Sequence, residues 1–110
     1  LDRFLRRLEA DGALERTLVV CRSEFGRRPA PNVGGGTDHG TAGPVLVLGA
    51  PRHLRGGFHG VRPDLAALDE NGDLPVPVDV RRVHATVVER WFERSAAPVV
   101  GRARPLPFLA

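Results

Sequence analysis

Lysine, isoleucine, tyrosine, glutamine and methionine are all absent from this chain, and cysteine occurs once, at Cys21. One cysteine excludes a disulfide framework and any paired-cysteine metal knuckle. Set in the apolar run of residues 18–21, Cys21 reads as a small buried hydrophobe. The glycine-rich tract GGGTDHGT lacks the Gly-Lys-Ser/Thr ending of a P-loop, and no GxGxxG leads from a strand into a helix. No apolar run approaches the roughly 20 residues of a membrane span. With lysine missing, all sixteen basic residues are arginine, and thirteen acidic residues lie among them. The net charge of +3 is therefore read as a solvated surface with GC-rich codon usage rather than as a nucleic-acid footprint.

At 110 residues the chain makes at most one domain. It opens on Leu1 inside a helical pattern, its regular elements are few and its connections are long. The expectation is the C-terminal segment of one larger domain, residues 1–110, packed against the remainder of its parent chain.

Leu1, Leu5 and Leu8, with Phe4 beside them, form one apolar helix face opposite Asp2, Arg3, Arg6, Arg7 and Glu9, and Gly12 follows as a stop. That face is expected to pack on a sheet. Residues 17–21 and 44–49 read as two buried strands, the first rich in β-branched side chains. Helix, glycine turn and buried strand make half a βαβ crossover, so a parallel sheet is expected. Asp69, Asn71 and Asp73 imitate the start of an EF-hand loop. The comparison fails where the loop needs its central glycine, which is Leu74, and its final glutamate, which is Val80. An Asn-Gly turn is predicted instead. Asp79 is placed to cap a helix whose apolar stripe runs through Val80, Val83, Val87, Val88, Trp91 and Phe92, with His84 beside it as a structural histidine. Pro98 is expected to end helical structure, and the apolar tail 105–109 to dock on the fold.

The stretch 19–43 carries the chemistry. An apolar run turns abruptly polar at Arg22-Ser23-Glu24, as strands do at the ligand-bearing edge of an open α/β sheet. The loop beyond it holds Arg27, Asn32, three consecutive glycines and Asp38-His39-Gly40. Carboxylates and imidazole are the oxygen and nitrogen donors of divalent metals, so Glu24, Asp38 and His39 are candidate ligands. His53 and His59, after the second strand, could complete such a site. Arg27 is the candidate oxyanion contact, because a guanidinium pairs with phosphate or sulfate through a bidentate fork. Cys21 and Ser23 have no base and orienting group that would make either a nucleophile.

SEFGR, NVGGGTDHGTAG, PVLVLG, RGG, NGDLPV and VDVRRVHATVVERW, in that order, resemble a large uncharacterised sulfatase-like family of bacterial proteins. This is domain of unknown function 1501, often labelled by its twin-arginine signal peptide, and it looks like a divergent branch of the alkaline phosphatase superfamily. The resemblance implies an α/β fold, a doubly wound and largely parallel sheet sandwich, of which this chain is the C-terminal segment. It also implies a divalent metal held by Asp38 and His39, with Glu24 similar in position to an acidic ligand, for hydrolysis of phosphate or sulfate esters of a small molecule or polymer; His59 is the possible further ligand and Arg27 the oxyanion contact of that reading. The nucleophile would lie outside these residues, and Cys21-Arg22-Ser23 does not match the cysteine sulfatase signature. An exported location is implied as well. The alternative is a non-catalytic extracytoplasmic binding or accessory protein that keeps the fold without turnover.

Overall fold

Strands of three residues cannot carry a doubly wound sheet, and the two apolar runs make strands no longer than that. In the computed structural model, which describes residues 1–110, β1 (Val19–Cys21) pairs with β4 (Leu46–Leu48) in a two-stranded sheet. β2 (Gly26–Pro31) pairs antiparallel with β3 (Thr37–Gly40) in another. The expected parallel, doubly wound sandwich is therefore overturned: helices accompany two small antiparallel sheets. The side chains of β1 are only half-buried, Cys21 included, and Leu46 is exposed. A run of apolar residues this short fits a central strand and a surface strand equally well, which is where the expectation failed.

The chain divides into two compact units, residues Leu1–Val20, Val47–His59 and Asp79–Ala110 in the first, and Cys21–Leu46 and Gly60–Val78 in the second. In the first unit, α1 (Asp2–Ala10) has the predicted amphipathic spacing but buries no residue, so its apolar face does not pack on a sheet as expected. Gly12 follows it with φ +65°, as a helix stop requires.

The core of this unit is built mainly from small side chains. Ala50, Ala85 and Ala96 are almost fully enclosed, with Val83, Phe108 and Leu109 beside them. Phe108 and Leu109 come from the tail, which docks as predicted: Leu54 bridges Leu109, Arg55 N donates to Phe108 O, and Ala110 N donates to His53 O. α2 (Val80–Thr86) contributes Thr86, which is wholly buried and fully partnered. Its hydroxyl donates to Arg82 O at 2.7 Å and accepts Leu106 N–H at 2.7 Å, tying the tail to the helix. The helix does not end there but widens into a π-helical turn, Val87–Trp91. Pro98, expected to stop a helix, instead lies in the first turn of α3 (Ala97–Val100), where its missing N–H costs nothing.

Asp79 caps α2 as predicted, accepting Arg81 N–H at 2.8 Å. The Arg81 guanidinium also donates to its carboxylate, and these two hydrogen bonds lower its pKa from the ordinary 3.8 to about 2. A carboxylate whose folded value is depressed stabilises above its unfolded pKa and loses that contribution as pH falls. The cap is thus expected to be intact above about pH 4 and lost progressively toward pH 2. An NMR titration of the Asp79 carboxyl should give a midpoint near 2, and a midpoint close to 3.8 would refute the capping geometry.

Candidate functional site

The polar stretch 24–43, expected as one long loop, is a β-hairpin in the second unit. β2 and β3 open on a glycine pair, Gly26 opposite Gly40, followed by Arg27 opposite His39; the register slips before Pro31 meets Thr37. The pairing of glycines has a steric cause. A Cβ on Gly26 would stand 1.8 Å from Ala42 O, and one on Gly40 would stand 2.7 Å from both Arg27 C and Arg28 N. Residues 41–43 cross directly over the start of β2, and only glycine admits that approach.

The glycine triplet makes the hairpin turn, and Asn32 organises it. Its Oδ1 accepts N–H groups from Gly34 at 3.0 Å and Gly36 at 3.1 Å, while its Nδ2 donates to Asp38 Oδ1 at 3.0 Å. Gly35 takes φ +78°, a backbone region where a side chain would be strained.

Alternation along the strands decides which side chains meet. Successive strand residues point to opposite faces, while residues two apart share one. Arg27 and its cross-strand partner His39 share one side, and Phe25, in the bend just before β2, lies with them. The Phe25 and His39 rings stack with centroids 3.6 Å apart and planes 21° from parallel. The Arg27 guanidinium carbon lies 5.5 Å from the Phe25 centroid, a cation–π contact. Arg27 Nη1 donates to Thr37 O at 2.7 Å, which fixes the guanidinium and leaves its other donors free. No carboxylate pairs with it. Beside it lies an open cavity of about 400 Å³, lined by Ser23, Phe25, Gly26, Arg27, Ala42, Gly43 and Pro44.

The hairpin is braced from below by the turn 69–73, the Asn-Gly turn predicted in place of a calcium loop. Gly72 has φ +79° and donates to Asp69 O, while Asp69 Oδ1 accepts the N–H groups of Asn71 and Asp73. This presents the buried Asp73 carboxylate to Arg28, whose Nε and Nη2 each reach one of its oxygens at 3.3 Å. Thr41 Oγ1 donates to Leu74 O at 2.6 Å.

The sequence-predicted residues are thus only partly assembled. Arg27 and His39 face each other across the hairpin, whereas Asp38, adjacent to His39 in sequence, turns to Asn32. Glu24 is exposed in the bend before β2. His59 belongs to the first unit, where its Nε2 lies 2.6 Å from Arg55 O, and His53 Nε2 lies 3.0 Å from Glu15 O with its ring edge-on to Trp91. No group of three His, Cys, Asp or Glu side chains converges. Ser23 is likewise occupied, its hydroxyl donating to Phe25 O at 2.6 Å. The residue that sequence reasoning passed over is Phe25. Its place directly before β2, next to Gly26 and Arg27, was the available signal.

Comparison with known proteins agrees with the motifs that pointed to a family. The family described as protein of unknown function (DUF1501) matches residues 1–93. The chain belongs to that family. No curated protein and no solved structure matches the DUF1501 chain. No helix in it is long and apolar enough to cross a membrane.

Proposed function

We propose that the hairpin of this DUF1501 chain is a recognition site for an oxyanion, the phosphate or sulfate group of an ester ligand, with Arg27 as its contact. One observation carries this reading. Arg27 is anchored by Thr37 O, backed by the Phe25 ring, free of any carboxylate and set on the rim of the cavity. A guanidinium held in place with donors to spare matches the tetrahedral oxygens of phosphate or sulfate in a bidentate fork. Holding it beforehand reduces the side-chain entropy lost on binding.

The resemblance to sulfatase-like proteins favours the same ligand chemistry. Binding is placed before turnover because it needs only the anchored Arg27 guanidinium, whereas hydrolysis also needs a nucleophile that the resemblance puts outside these residues. The role is that of a binding or accessory domain, with ester hydrolysis as the second reading.

Calorimetric titration of the chain with inorganic sulfate at low ionic strength tests the site. Hydrogen bonds to a charged group are worth about 1.5–3 kcal/mol, so Arg27→Gln is expected to weaken binding by roughly 10- to 100-fold. Wild-type affinity in Arg27→Gln, or no saturable binding in the parent, would remove the proposal.

A further inference from the structure

We infer that α2 and the segment 101–109 docked on it form a surface that binds an acidic protein segment, with Arg82, Arg102 and Arg104 as its contacts. The surface belongs to the first unit and does not depend on the oxyanion reading.

The distribution of charge supplies the first argument. Of the sixteen arginines and thirteen side-chain carboxylates, four arginines (Arg81, Arg82, Arg102 and Arg104) and one carboxylate, Asp79, belong to α2 with its cap and to this segment. Twelve of each remain elsewhere, so these two stretches carry the whole net charge of +3. The fold brings them together. Arg82 Nε donates to Arg104 O at 3.0 Å, and Thr86 Oγ1 accepts Leu106 N–H one turn further along the helix. Arg81 is engaged by Asp79, whereas Arg82, Arg102 and Arg104 stand in no ion pair. Like charges gathered on one surface repel one another, and the carboxylates of a partner relieve that repulsion.

The surroundings decide the kind of anion. Single-stranded nucleic acid binds through aromatic side chains on which its bases stack, and neither α2 nor residues 101–107 contain Phe, Tyr or Trp. A membrane surface takes a helix with its apolar face free, but α2 turns Val83, Ala85 and Thr86 into the core. A polypeptide meets neither obstacle. Its carboxylates match the guanidinium forks, and apolar side chains among them find Val80, 36% exposed before Arg81, and Val99, 72% exposed on α3 ahead of Arg102. α3 itself packs against α2.

Titrating the full chain with a glutamate peptide interrupted by valine, and with its glutamine counterpart, tests the inference. The glutamate peptide is expected to bind with an affinity that falls as salt is raised, and the glutamine peptide to remain free. The double variant Arg102→Gln with Arg104→Gln should weaken binding about tenfold, since each exposed pair is worth roughly two- to fivefold. Both side chains are exposed and unpaired, so the melting midpoint of this variant should match that of the parent. Arg27→Gln should leave peptide binding unchanged, which separates this surface from the hairpin. Absence of glutamate-peptide binding, equal binding of the two peptides, or full affinity in the double variant would overturn the inference. Tighter binding of oligothymidylate or of phosphatidylglycerol vesicles through the same arginines would overturn it as well, by assigning the surface to nucleic acid or lipid.

Discussion

Gly26→Ala is expected to cost about 3 kcal/mol and to dissolve the β2–β3 hairpin. Ala42 O, C and N would lie 1.8, 2.3 and 2.9 Å from the new Cβ, and all three are main-chain atoms. A flexible side chain could swing away from such a contact, but here residues 41–43 would have to lift off β2. That movement would also open the cavity beside Arg27, so oxyanion binding should fall together with stability. Denaturant melting gives the first quantity, and hydrogen exchange at the amides of residues 26–31 and 37–40 gives the second, as lost protection. A midpoint within about 0.5 kcal/mol of the parent would mean that the crossing is not held where the structure puts it.

Asp73→Ala has the next largest expected effect, a loss of about 2–3 kcal/mol. Removing one partner of a buried ion pair usually costs roughly 3–5 kcal/mol, because the other charge is stranded. The Arg28 side chain is 38% exposed while that of Asp73 is 10% exposed, so the guanidinium can recover part of its hydration and the cost should be smaller. The double variant Arg28→Met with Asp73→Leu leaves no unpaired charge and should be less destabilised than Asp73→Ala, as read from the same melts. A double variant as unstable as the single one would show that Asp73 acts through the turn it belongs to and not through Arg28.

Sequence reasoning succeeded where one residue type has one structural use. An aspartate ahead of an apolar helical stripe caps it, Asn-Gly turns, and an apolar tail docks. It failed where local composition and tertiary contact disagree. β2 has the sequence GRRPAP, with two arginines, two prolines and no apolar alternation, so nothing in its pattern says strand. Its pairing depends on the close approach of Gly26 and Gly40 to distant backbone and on the Asn32 side chain holding the turn, neither of which has a periodic signature. Misreading the hairpin as a loop also misplaced the Asp38-His39 pair. On a strand two neighbours face apart, which is why Asp38 meets Asn32 while His39 meets Phe25. Arg27 was identifiable because its chemistry does not depend on the backbone around it, but its setting was not. The π-helical turn at Val87–Trp91 leaves the apolar stripe almost unchanged, so the sequence reads through it as ordinary helix.

The composition of β2 has one more consequence, for how the protein meets copies of itself. A two-stranded sheet has two free edges, and a free edge with unpaired N–H and C=O groups is a template on which another chain can add a strand. Pro29 and Pro31 carry no N–H, and the slipped register between Arg27 and Pro31 bends the strand out of line. An incoming strand would find donors missing along much of that edge. The residues that disguise β2 in the sequence therefore also guard this edge of the hairpin against templated growth.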